Sequence, residues 1–289
     1  MSLNVKLSLL GVLSVLVTGA VLMVLAVGES RRYHDIAKHE VDLLIRQDLD
    51  HTTQRVYNLV RTEDQAVQQQ VSDNLNVARH VLAGAGALTL SDDVVNWTAV
   101  DQFNGRTTTL QLPRMLIGRR WLGRNDDPAV ETPVVDEIVR LIGGSATIFQ
   151  RMNHAGDMLR VATTVREAGG RRAIGTYIPA VDQEGTPNSV VAAVMRGETY
   201  HGRAFVVDSW YLTAYGPLKG SSGEIVGMLY VGVRMENVVS RVREAILQTS
   251  VGKTGYVYVL GGKGGREGNE TARTSGKPET AMATPLFSR

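Results

Sequence analysis

The chain has 289 residues, enough for one or two domains with hydrophobic cores of their own. Its formal net charge of +2 gives no strong field for nucleic acid, and the absence of cysteine excludes disulfides, thiol catalysis and cysteine-based zinc sites. Residues 7–28 contain no charged side chain and are dominated by leucine and valine. At ~1.5 Å per residue such a helix spans roughly 33 Å, the thickness of a bilayer core. A cleaved signal peptide is the rival reading, with Lys6 as its basic start and Ala26-Val27-Gly28 as its small-residue site, but an h-region of ~7–15 residues is shorter than this run. An uncleaved transmembrane anchor over residues 1–28 is therefore the expectation. Lys6 on one flank and Arg31 and Arg32 on the other leave its orientation open.

From residue 29 to residue 83 there is neither glycine nor proline. Val41, Ile45, Leu49, Val56, Val60, Val67, Val71, Leu75, Ala78 and Leu82 recur mostly in steps of three, four or seven, which predicts one long helix with an apolar stripe. It reads as a stalk that packs on a globular domain or on a second copy of itself. Residues 83–87, AGAGA, end it.

Beyond the stalk, Ser91-Asp92-Asp93 reads as a turn or helix start. Asn104-Gly105 is a hairpin signal between strands at 100–103 and 107–112, followed by strand-like segments at 115–117 and 118–122. Apolar positions over 134–142 predict a short helix closed by Gly143-Gly144. Strands at 146–152 and 158–165 flank a hairpin at 153–157. Residues 166–188 are loop-rich, with Tyr177 and Ile178 an apolar patch folding over the sheet, and Ser189 caps a helix reaching Met195. Three runs then form a meander, 203–207, 210–215 and 224–233, before an exit helix at 237–251. The order predicts an α+β domain with an antiparallel sheet and helices on one side.

Catalytic signals are missing. Gly252-Lys253-Thr254 lacks the upstream glycine of a phosphate loop, since Leu247 stands there, and the glycine-rich 261–268 is not set in a βαβ unit. His39-Glu40 lacks its second histidine, Leu43 being at that position, and the six histidines are scattered. No catalytic residue, cofactor or metal site is expected, and the chain does not read as an enzyme. Binding is another matter. Alternation places Met158, Arg160, Ala162 and Thr164 on one strand face, Arg203, Phe205 and Val207 on another, and Tyr211, Thr213 and Tyr215 together on the next strand. An arginine beside tyrosines is suited to a carboxylate. Arg203 leads this ligand set, with Tyr211, Tyr215, Arg160, Trp210 and Tyr177. The plainer account of Arg160 is a solvated strand residue, and of Tyr211 and Tyr215 core packing with the hydroxyl at the rim.

The runs QQQVSDNLNVARHVL (68–82), PVVDEIVRLIGG (133–144), TIFQRMNHAGDMLRVATTV (147–165), AIGTYIPA (173–180) and RGETYHGRAFVVDSWYLTAYGPL (196–218) resemble the fused Cache 3/Cache 2 sensor domain, and GEIVGMLYVGV (223–233) and VGKTGYVYVLGG (251–262) extend the match. The resemblance implies a PAS-like extracytoplasmic sensor of the kind found in bacterial methyl-accepting chemotaxis proteins, histidine kinases and nucleotide cyclases. It implies a small ligand, often an organic anion, an amino terminus in the cytoplasm and a periplasmic domain on a single-pass inner-membrane anchor. The divisions expected are the anchor at 1–28, the helix at 29–83, the sensor at 84–250 and a further segment with a disordered tail at 251–289. That tail departs from the family pattern, since no second apolar run follows. The chain thus reads as a truncated receptor, a misframed gene end or a stand-alone ligand-binding remnant. The competing function is a structural protein that dimerises through its long helix.

Overall fold

A computed structural model describes residues 3–182, 184–247, 250–251, 255–259 and 272–275, with side chains placed for 16–182, 184–244 and 246–247. The chain divides into two compact units, Leu59–Gln248 and the combination of Met1–Asn58 with Thr249–Arg289.

Helix α1 (Leu3–Ala85) is continuous, and its final turns belong to the unit of Leu59–Gln248. There Val67, Val71, Leu75, Ala78 and Leu82 are buried, the lower part of the predicted stripe. Helix α1 ends at a close approach of two backbones. A side chain at Gly86, whose φ is +129°, would meet the Gly118 backbone at 2.7 Å.

The remaining elements of this unit are β1 (Leu88–Asp101), β2 (Thr107–Ile117), β3 (Arg120–Trp121), α2 (Val135–Ile142), β4 (Ser145–Arg151), β5 (Met158–Thr163), β6 (Thr176–Ile178), α3 (Ser189–Met195), β7 (Tyr200–Val206), β8 (Ser209–Lys219), β9 (Ile225–Arg234) and α4 (Met235–Leu247). Among the described residues the strands form a nine-stranded sheet in the order β3-β2-β1-β6-β5-β4-β9-β8-β7. Every pairing is antiparallel except β1 with β6. The α+β class and the antiparallel meander are thus present.

Four local expectations change. Ser91-Asp92-Asp93 is not a turn or helix start but lies inside β1, where the pairing register shifts between Leu90 and Val94. Strand pairing on both sides overrides the local turn preference, and Arg114 opposite reaches Asp93 at 3.2 Å. Tyr177 and Ile178 do not lie over the sheet; they enter it as β6. The ends of β1 and β5 both present backbone groups there, and β6 satisfies both edges. The cap of α3 is Asn188, not Ser189: its side-chain oxygen accepts from the N–H groups of Val190 at 3.0 Å and Val191 at 3.3 Å. Finally, helices lie on both faces of the sheet. A side chain at Gly216 would strike the Arg79 guanidinium, which puts α1 on that face, while α3 packs with Tyr211 and Tyr215 on the other.

In the other unit, β10 (Ser250–Val251), β11 (Gly255–Val259) and β12 (Ala272–Ser275) pair antiparallel in that order. Residues 252–254 and the rest of the tail lie outside the described residues. Leu16, Val21, Leu22, Val24 and Leu25 of α1 are exposed, as are Ile36, Val41, Leu44 and Ile45 further along. Among the described residues no helix is long and apolar enough to cross a membrane. Part of the predicted anchor, residues 7–15, has no described side chains.

Candidate functional site

The site begins with an irregularity in the β4–β5 pairing. Ile148 pairs with Ala162 but Phe149 with Arg160, so Val161 is an extra residue and the register slips. A bulge of this kind re-aims the side chains beyond it. Arg160 therefore shares a face with Phe149, while Ala162 shares the opposite face with Ile148. The single-face reading of Met158, Arg160, Ala162 and Thr164 is corrected accordingly.

Arg160 is completely buried. Its Nη1 donates to the Thr176 hydroxyl and its Nη2 to Gln102 Oε1 at 3.3 Å, and its guanidinium lies 4.9 Å from the centre of the Phe149 ring. Its Nε has no hydrogen-bond partner. Among the described residues no carboxylate forms an ion pair with it; Glu167 acts only from a distance. Burial pushes its pKa below the ordinary arginine value, against the opposing influence of Tyr215, Tyr230, Glu167 and Tyr211. The second buried arginine of this unit is a useful contrast. Arg172 places Nη1 2.7 Å from Asp136 Oδ1 and Nη2 2.8 Å from Oδ2, and it donates to three backbone carbonyls as well. Its charge is met in full by the protein. That of Arg160 is met by neutral groups.

Around Arg160 the register gathers aromatic rings. Tyr215 pairs with Tyr200 on β7 and with Tyr230 on β9, and ring centres lie 6.1 Å and 4.9 Å away respectively. The Tyr230 hydroxyl is 3.1 Å from Ser145 Oγ. It reaches there by lying along its own strand, where a side chain at Gly232 would sit 2.2 Å from it. Burial raises the pKa of both Tyr215 and Tyr230. Tyr211 accepts from Arg234 Nε at 3.1 Å, which ties this face to the start of α4. Val190, Val191 and Val194 of α3, with Val165, Ala173, Ile178 and Ala180, cover the face.

Of the six predicted residues, Arg160, Tyr211 and Tyr215 come together here. Arg203 is exposed and paired with Leu212, and Trp210 is 45% exposed with its ring 5.7 Å from Phe205. Both stand on the opposite face, because Tyr200, Ala204 and Val206 are the β7 residues packed into the cluster. Tyr177 faces away as well, since its neighbours Thr176 and Ile178 are the ones turned toward Arg160 and the cluster. Phe149, Tyr230, Thr176, Gln102 and Ser145 were not singled out in the sequence. Gln102 arrives from the turn just after β1 and Thr176 from β6, through a crossover that no local pattern announces. For Tyr230, the flanking Gly232 in a strand was the available sign of a close approach.

The model of the Cache 3/Cache 2 fusion domain matches residues 34–284. The chain belongs to this family. No curated protein matches it. Among solved structures, the periplasmic domain of RsbU from Chlamydia trachomatis is similar at 10% identity and a TM-score of 0.36, covering 74% of this chain and 61% of that one. As a Cache domain the chain is an extracytoplasmic sensor module, of a kind that binds ligands.

Proposed function

We propose that this chain is the membrane-anchored ligand-binding part of a bacterial chemoreceptor or related signalling protein, and that it takes a small organic anion at Arg160. The observation that carries the reading is a wholly buried guanidinium with no acid beside it and an unbonded Nε. Burying an unpaired charge is costly, and a carboxylate offered to the Nε and Nη2 edge supplies both the missing charge and a fork of two hydrogen bonds. Tyr215, Tyr211 and Tyr230 provide hydroxyls around that position, and Phe149 provides an apolar wall. The face is closed by α3 and by residues from 165–180, so entry requires this cover to move. Residues 7–28 are proposed as the inner-membrane anchor, with residues 29 onward periplasmic. The exposed Ile36, Val41, Leu44 and Ile45 favour a homodimer formed along the helix.

The test is a thermal-shift screen of the full chain in detergent with acetate, lactate, succinate and benzoate. At a ligand concentration ~100 times Kd the expected stabilisation is about 2.7 kcal/mol, a shift of several degrees. Arg160→Gln is expected to abolish the shift and Arg203→Ala to retain it. No shift with any acid, or the reverse behaviour of the two variants, overturns this assignment.

A further inference from the structure

A second feature lies away from Arg160, where the end of α1, the β2–β3 turn and the start of α2 enclose a groove of about 620 Å³. Its floor is apolar, made by Ile117, Leu122 and Val134, each buried. Its polar lining consists of Arg119, Arg120 and Glu137. Nearby surface arginines are neutralised: Arg114 by Asp93, Arg140 by Glu131 and Arg171 by Asp126. Arg119, Arg120 and Glu137 have no ion-pair partner among the described residues. Opposite charges thus line one groove without meeting each other.

The walls are fixed in place. Gly118 N–H donates to the Ala87 carbonyl at 2.8 Å, locking the β2–β3 turn onto the end of α1. On the other side, Asp136 holds the Thr132 N–H at 2.7 Å while it pairs with Arg172, so the start of α2 is pinned to the core. Between these anchors Val134, itself part of the groove floor, is buried and adopts φ 71°, a conformation unfavourable for a β-branched residue.

We propose that this groove is a second ligand site, for an apolar α-amino acid in its zwitterionic form. The carboxylate lies on Arg119 and Arg120, the ammonium on Glu137, and the side chain on Ile117, Leu122 and Val134. A simple anion leaves Glu137 without a partner and close to like charge; a simple amine does the same to the two arginines. A zwitterion satisfies both ends at once. The volume suits a ligand of this size, since small-molecule sites commonly run ~300–1,000 Å³. This site is independent of the one at Arg160.

Isothermal titration of the full chain in detergent tests it with three probes of one carbon skeleton: L-leucine, 4-methylpentanoate and isopentylamine. L-leucine is expected to bind saturably at one site per chain. Glu137→Gln should weaken it about tenfold, the loss of one charged hydrogen bond, and Arg119→Ala with Arg120→Ala should do the same. Arg160→Gln should leave leucine binding unchanged. Any binding of 4-methylpentanoate should vanish in Arg160→Gln and survive in Glu137→Gln. Absence of leucine binding at millimolar concentration overturns the proposal. So does full binding by Glu137→Gln, or loss of leucine binding in Arg160→Gln, which moves the amino acid to the other face. Should the double arginine variant fail to fold, Glu137→Gln, an exposed and conservative change, decides alone.

Discussion

Two buried arginines, twelve residues apart on one chain, carry their charges in different ways. Arg172 is held by both oxygens of Asp136 and by carbonyls, so its role is to fix α2 and the loop before it. Arg160 is surrounded by a threonine, a glutamine and tyrosine rings. The sequence placed Arg160 in the ligand set behind Arg203 and did not single out Arg172, because both buried arginines lie in ordinary polar-apolar surroundings and differ only in what the fold brings beside them. The same surroundings set a pH dependence. Tyr215 and Tyr230 are neutral in the folded chain and burial raises their pKa, whereas in the unfolded chain a tyrosine ionises near ~10. Their contribution is fully present below that pH and is lost as pH rises toward the folded-state values, since only the unfolded form sheds the protons. Urea unfolding should therefore show stability falling above about pH 10 by ~1.4 kcal/mol per pH unit for each tyrosine. Tyr230→Phe should remove one tyrosine's share of that slope; an unchanged slope contradicts the assignment.

At the scale of elements, the sheet was legible where strands follow one another through short turns. The hairpins at Asn104-Gly105 and 153–157 and the meander of β7, β8 and β9 all form where turn residues separate β-branched runs. What escaped was anything requiring a long connection or an extra residue. The bulge at Val161 reverses the facing of everything beyond it, and β6 is too short to declare itself before β1 and β5 flank it. The close approach of Tyr230 over Gly232 gives a prediction at this scale. Gly232→Ala should displace the tyrosine from Ser145 and cost about 1–3 kcal/mol, the usual penalty for overpacking a filled core. Denaturant titration measures it, and a loss below ~0.5 kcal/mol shows that the ring yields without consequence.

At the scale of the whole molecule, the questions are attachment and assembly. The chain contains no cysteine, so a single introduced thiol reports on one position only. With Leu44→Cys, oxidation of membranes should give a disulfide-linked dimer recovered in the membrane pellet, while His201→Cys on the sheet edge should stay monomeric. Monomer from Leu44→Cys contradicts pairing along the helix. Recovery of the chain in the soluble fraction contradicts the anchor.

By itself the sequence determined the helix, through an unbroken glycine- and proline-free stretch with one apolar stripe, and it determined the antiparallel sheet, through alternation and turn chemistry. These are local properties, fixed by periodicity over neighbouring residues. Which arginine is buried was decided by tertiary structure alone. Arg203 was the leading candidate on local grounds and stands exposed, paired across from Leu212. Arg160 lies against the aromatic cluster because the bulge puts it on the Phe149 face of a strand buried on both sides, and because the turn after β1 and strand β6 deliver Gln102 and Thr176 from distant parts of the chain. The period of a strand says which residues share a face, but only the register and the layers packed on the sheet say which face is inside.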